Sequence, residues 1–134
     1  MTDTCPPNNL LQQATDALTN AYAPYSNFPV GACFLGEDEQ LYTGCNVENA
    51  ASPEGLCAEA VAIGNMIANG CRKIKAALVI IPGKRNITPC GGCRQKLLEF
   101  CSKDTPIYLC STEGKAQVTT ISELMPLAFT KDYL

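Results

Sequence analysis

The stretch that most limits how this chain can fold is residues 76–81, Ala-Ala-Leu-Val-Ile-Ile, an unbroken aliphatic run. A strand with one wet face alternates apolar and polar residues, whereas a strand buried on both faces reads as continuous hydrophobicity. The run predicts a central strand, and the neighbouring patterns must supply the layers that cover it. Residues 8–21 place Leu10, Leu11, Ala14, Leu18 and Ala21 at helical spacing before Pro24 stops the pattern. Residues 29–35 and 41–47 are short apolar or alternating runs on either side of the polar turn Gly36-Glu37-Asp38-Glu39, which predicts a hairpin.

Residues 46–55 lack periodicity and carry Pro53 and Gly55, a loop leading into a helix over about 56–68 that is apolar nearly all round and ends at Asn69-Gly70. After the central strand come a Pro/Gly loop, a helix over about 90–101, strands at 106–110 and 116–119, and a short helix at 121–125. The order α-β-β-α-β-α-β-β-α has no linker-like stretch, repeat or low-complexity tract. It predicts one α/β domain over residues 1–134, a three-layer α-β-α sandwich around a mixed central sheet. A chain of 134 residues buries roughly two-thirds of its unfolded surface, enough for one core without staples.

Histidine is absent, which removes the commonest general base and zinc ligand and leaves carboxylate, thiolate or amine to carry any chemistry. The net charge of −3 argues against a protein that tracks a phosphate backbone, so a small-molecule ligand fits better than nucleic acid. No membrane span is expected, because nothing approaches about 20 consecutive apolar residues, and the opening MTDTCPPNNLL has no signal-peptide pattern. The nine cysteines cannot all pair within one chain, which disfavours a secreted disulfide scaffold and points to the cytoplasm.

Cys90 and Cys93, in Pro89-Cys90-Gly91-Gly92-Cys93, stand at a predicted helix start, where i and i+3 share a face and can grip one ion. Helix dipole and unpaired N–H groups there favour thiolates. Cys57 opens the other cysteine-bearing helix and supplies a third thiolate if the two helix starts converge, as neighbouring crossovers on one sheet can. Three sulfurs leave the open fourth position of a catalytic zinc. Glu59 is the only carboxylate in its otherwise apolar helix. It is either a solvated first-turn residue or a buried group that needs a partner or a chemical role. Cys5, Cys33, Cys45, Cys71, Cys101 and Cys110 lack such spacing and read as structural or incidental.

Zinc-dependent nucleobase deaminases carry a ligand-x-Glu element followed by Pro-Cys-x-x-Cys, with three cysteines permitted as ligands. Cys57-Ala58-Glu59 and Pro89-Cys90-Gly91-Gly92-Cys93 match both halves. With residues 21–32 (AYAPYSNFPVGA), 44–50 (GCNVENA) and 124–129 (LMPLAF), the chain resembles the small homotetrameric cytidine deaminases almost end to end. The resemblance implies hydrolytic deamination of free cytidine and deoxycytidine in pyrimidine salvage, with one Zn2+ per chain on Cys57, Cys90 and Cys93 and Glu59 as the proton carrier. It also implies that Phe28 packs on the pyrimidine, that Asn46 and Glu48 hold the ribose hydroxyls, and that backbone around Ala58 hydrogen-bonds the base. Phe129 resembles a position that reaches a neighbouring subunit's active site. Read alone, Phe28 is a core aromatic, Asn46 a turn former and Glu48 a solvated strand-end carboxylate.

Two departures stand out. Many cysteine-only relatives look to have an arginine directly after the catalytic glutamate, where this chain has Ala60, and some carry Tyr where it has Ser52. Three thiolates more than cancel the ion's charge, so the helix N-termini and Arg94, beside Cys93, are expected to supply the positive potential that offsets it, with a plain surface role the alternative for Arg94. Three rivals remain. A thiol redox protein would use C-G-G-C alone, and a non-catalytic zinc module would need a fourth protein ligand. A deaminase for another aminopyrimidine nucleoside, such as blasticidin S, would share the metal motifs without Phe28, Asn46 and Glu48.

Overall fold

The computed structural model describes residues 1–134. Its strands are β1 (Thr2–Asp3), β2 (Gly31–Gly36), β3 (Leu41–Cys45), β4 (Ile74–Ile81), β5 (Pro106–Ser111) and β6 (Gln117–Thr120), and its helices are α1 (Asn8–Leu18), α2 (Ala58–Ala68), α3 (Gly91–Phe100) and α4 (Ile121–Leu124). The strands form one mixed sheet in the order β1-β6-β5-β4-β2-β3. Only β4 and β5 pair in parallel; the other ladders are antiparallel.

The aliphatic run is central, as its pattern requires. Along β4 successive side chains alternate faces: Ala76, Leu78 and Ile80 pack with Leu10, Ala14 and Leu18 of α1, while Ala77, Val79 and Ile81 pack with α2, α3 and α4 through Ala58, Ala62, Ile63, Met66, Leu97 and Ile121. One helix covers one face of the sheet and three cover the other, which is the expected three-layer arrangement. Each fully buried Leu, Ile or Val contributes about 1.5–3 kcal/mol, so this doubly covered strand anchors the fold.

Topology sets the position of the site. Strands β3 and β4 each run antiparallel to β2, so they point the same way and their chains leave the sheet at the same end. Helix α2 follows β3 and helix α3 follows β4, both on the same face of the sheet. Their N-termini therefore meet at one edge. Gly44 on β3 lets α2 come this close, because a Cβ there would collide with the Ala58 carbonyl and the Ala62 backbone nitrogen.

Several boundaries differ from the sequence pattern. Helix α1 stops at Leu18 rather than residue 21, because the N–H groups of Thr19, Asn20 and Ala21 bond to carbonyls three residues back and tighten the last turn. Cys57 and Cys90 are N-caps rather than first-turn residues. Helix α2, apolar nearly all round in its sequence, is buried on one side only: Gly64, Asn65 and Ala68 face solvent, while Ala58, Glu59, Ala62, Ile63 and Met66 are buried. The expected loop at 46–55 contains a 3₁₀ turn, Ser52–Glu54, and is pinned by bridges from Val47 to Tyr22 and Leu56. Strand β1 and a C-terminal 3₁₀ turn, Lys131–Tyr133, carry no hydrophobic period and left no mark in the sequence.

Candidate active site and metal centre

The converging helix starts bring Cys57, Cys90 and Cys93 together, with their sulfurs all within 4.8 Å of one another. Cys57 and Cys90 lie 4.0 Å apart, sulfur to sulfur. A tetrahedral site with metal–sulfur bonds of about 2.3 Å places its sulfurs about 3.8 Å apart, so the donor set suits zinc with little adjustment. No fourth His, Cys, Asp or Glu joins the group, which fits a centre with a position left for water better than a closed structural one. The six other cysteines are unpaired and lie outside the cluster. Burial pushes the thiols of Cys33 and Cys101 up to about 12 and that of Cys110 to about 11, as expected of inert packing residues.

The three clustered thiols are not alike. Burial raises Cys57 and, more strongly, Cys93, which also faces the Glu59 charge. Burial acts against Cys90 as well, but the Cys93 backbone N–H and the thiols of Cys93 and Cys57 outweigh it and hold Cys90 below its ordinary value. Glu59 is buried on α2 with 4% of its surface exposed, and the Cys93 thiol donates to its Oε2 at 3.5 Å. Desolvation lifts its carboxyl above the usual range, opposed by its own backbone N–H, Cys93 and the Lys96 ammonium. A carboxyl group whose hold on its proton is strengthened in this way is better suited to accept one during a reaction than an ordinary surface carboxylate.

Glu59, Cys57 and Cys90 open into a cavity of about 560 Å³ that Phe28, Asn46, Glu48, Ser52 and Ala58 also line. Every sequence-derived substrate contact thus borders the metal cluster, and half-exposed Phe28 offers its ring to the space. Asn46 and Glu48 also hold the 25–30 segment in place. The Asn46 amide accepts from the Val30 N–H at 2.8 Å and donates to the Phe28 carbonyl at 2.8 Å. Glu48 accepts from the N–H groups of Tyr25 and Ser26 at 2.9 and 3.0 Å and from the Ser26 hydroxyl. The Ser26 hydroxyl has the largest influence and, helped by the Ser26 and Tyr25 backbone N–H groups, outweighs desolvation and keeps the Glu48 carboxyl below its usual range.

Sequence reasoning missed Ser26, Val30, Val47, Gly55, Leu56, Ile87 and Thr88, which complete the lining. Thr88 sits one residue before Pro89, and Ser26 falls inside the 21–32 motif, so both lay within reach. Arg94 is tied to backbone carbonyls: its guanidinium donates from Nε to the Pro89 carbonyl at 2.8 Å and from a terminal nitrogen to the Leu124 carbonyl at 3.1 Å. Phe129 is not in this cavity; it stacks on Tyr133 at 5.3 Å, and its carbonyl accepts from Gln95.

The family model described as "Cytidine and deoxycytidylate deaminase zinc-binding region" matches residues 6–109. Cytidine deaminase of Sporosarcina psychrophila is 42% identical over 125 residues, covering 93% of this chain and 92% of that protein. The crystal structure of cytidine deaminase from Burkholderia pseudomallei superposes with a TM-score of 0.87 at 37% identity, covering 93% of this chain and 100% of that one. A more distant relative, the blasticidin-S deaminase of Bacillus cereus, is 27% identical over 131 residues, 92% of this chain and 91% of that protein. The matched sequence spans the strand pairs, both helix starts and all three clustered cysteines: the chain belongs to the cytidine and deoxycytidylate deaminase family.

Proposed function

We propose that this chain hydrolyses free cytidine and deoxycytidine to uridine and deoxyuridine, releasing ammonia, and that residues 1–134 act as one catalytic domain. The observation that carries this reading is the triad of Cys57, Cys90 and Cys93 beside a buried glutamate, at the end of a cavity large enough for a nucleoside. Cys57, Cys90 and Cys93 would hold zinc. When bound, zinc supplies Lewis acidity that makes water nucleophilic near neutral pH. Glu59 takes a proton from the attacking water as the oxygen adds at C4 and passes it to N3, then takes the second proton from the new C4 hydroxyl and delivers it to the departing amine. Water supplies the oxygen gained by the base, and the amino group leaves as ammonia.

The other residues orient the nucleoside. Phe28 lays its ring against the pyrimidine, the backbone around Ala58 meets the polar edge of the base, and Asn46 and Glu48 bind the sugar hydroxyls. An ionised Glu48 is a pure acceptor, which suits a hydroxyl donor. Large apolar side chains stand in solvent beside the cavity: Tyr25, Phe28, Val47 and Leu56. Leu127 is fully exposed at a backbone φ of 55°, an arrangement an isolated chain gains nothing from. These features support a homotetramer in which Phe129 reaches a neighbouring subunit's site. Nine unpaired cysteines support the cytoplasm, and the substrate class supports a salvage role. No helix is long and apolar enough to cross a membrane. Incubation of zinc-loaded protein with cytidine should give uridine and ammonia in equal amounts; zinc-loaded protein that leaves cytidine unchanged while deaminating another aminopyrimidine nucleoside would overturn the substrate assignment.

A further inference from the structure

One wall of the cavity is built by a segment with little backbone support. Residues 84–89 lie on the path from β4 to α3 and form no backbone–backbone hydrogen bond, yet Ile87 and Thr88 within them line the cavity. Just before this stretch Gly83 is fixed: its N–H donates to the Thr112 hydroxyl at 3.0 Å and its carbonyl accepts from the Glu113 N–H at 2.9 Å. At the far end the Pro89 carbonyl accepts from Arg94. Between these points half-buried Ile87 packs against the core, but apolar contact is non-directional and leaves the path of the chain open.

Asn86 supplies the direction. Its amide oxygen accepts from the Ser111 hydroxyl at 3.0 Å, and its amide nitrogen donates to the Lys115 carbonyl and, at 3.4 Å, to the Gln117 side-chain oxygen. Ser111 ends β5 and Gln117 opens β6, so one side chain ties the loop to two strands of the sheet. Ser111 is buried, and its hydroxyl also accepts from the Gly114 N–H at 3.1 Å. Gly114 permits this close approach, since a Cβ there would stand 2.3 Å from the Lys84 carbonyl. An amide with both its acceptor and its donor engaged fixes orientation as well as distance. Ile87 and Thr88 come three and two residues before Cys90, at the metal end of the cavity, where C4 and its amino group must lie for water to attack.

We propose that Asn86 is a positioning residue that determines specificity: by tying residues 84–89 to β5 and β6 it sets the wall that Ile87 and Thr88 present beside the departing amino group, and so limits what that nitrogen can carry. This role rests on the reading that the chain deaminates cytidine, and it acts through Ile87 and Thr88 rather than by contact with the substrate.

The probe is N4-methylcytidine, which loses methylamine where cytidine loses ammonia. kcat/KM for both nucleosides is measured on zinc-loaded wild type, Asn86→Ala, Asn86→Asp, Ser111→Ala and the Asn86→Ala/Ser111→Ala double variant. Wild type should prefer cytidine by about tenfold or more, the discrimination one extra methyl group meets in a shaped pocket. Asn86→Ala should lower kcat/KM for cytidine about five- to twentyfold and shrink the preference about three- to tenfold, with its zinc retained. Asn86→Asp keeps the acceptor but loses the donor and should behave as Asn86→Ala does. Ser111→Ala should show a smaller change of the same kind and add nothing to Asn86→Ala in the double variant. A merely destabilised protein loses both activities by one factor, because a smaller folded fraction leaves their ratio untouched. An unchanged ratio in folded Asn86→Ala, or in Asn86→Asp and Ser111→Ala should that variant not fold, overturns the proposal, as does a wild type indifferent to the methyl group. A wild type that turns over neither nucleoside overturns instead the functional reading beneath it.

Discussion

At the scale of single residues, the thiols set how zinc binding depends on pH. Burial raises Cys57 and Cys93 above their ordinary values, so both are protonated in metal-free protein at neutral pH and must lose protons to bind. Zinc uptake near pH 7 should release at least two protons per ion, measurable in weak buffer with an indicator dye, and zinc should be lost as pH falls. Glu59 carries a further linkage. Its folded pKa lies above the ordinary carboxylate value, so the native state binds the extra proton, and stability falls as pH rises through the raised pKa. In metal-free protein, Glu59→Gln should therefore gain stability over wild type as pH rises above the ordinary carboxylate range, read by urea unfolding. Ser26→Ala should raise KM about three- to tenfold with little change in kcat, because it loosens the Glu48 clasp on the Phe28 segment. The cysteines and Glu59 were legible because their spacing is local and the ion imposes it. Arg94 was not, because a carbonyl 30 residues away decides where its guanidinium points.

Among the elements, β4 was legible because burial on both faces leaves no choice of residue type. Strand β1 was not, since two exposed residues are held to β6 only by backbone pairing. The starts of α2 and α3 moved inward because Cys57 and Cys90 take extended backbone as N-caps, and an apolar run alone does not distinguish a cap from a first turn. The α2–β3 contact carries a prediction of its own. Gly44→Ala forces a methyl into the backbone of Ala58 and Ala62, which should cost about 1–3 kcal/mol in unfolding experiments. It should also weaken zinc retention, because the displaced backbone carries Cys57 and Glu59.

For the whole molecule, two strands pointing one way set two helix starts at one edge, and that topology turns separated sequence motifs into one site. The layer order was legible from the α/β alternation. The pocket lining was only partly so, because Ile87 and Leu56 enter it along loop paths that no periodicity encodes. Assembly belongs to this scale: light scattering should give a mass about four times the chain's 14.3 kDa. If Phe129 acts in trans, hybrids of Phe129→Ala and Glu59→Gln subunits should exceed the activity of either parent; activity equal to the parents' average would place Phe129 outside the neighbouring site. The most direct test of the central claim measures zinc content and cytidine turnover side by side for wild type and Glu59→Gln. One zinc per chain is expected in both, with turnover lower in the variant by about 10²–10⁴-fold. A Glu59→Gln protein that holds its zinc and deaminates cytidine at the wild-type rate would contradict it.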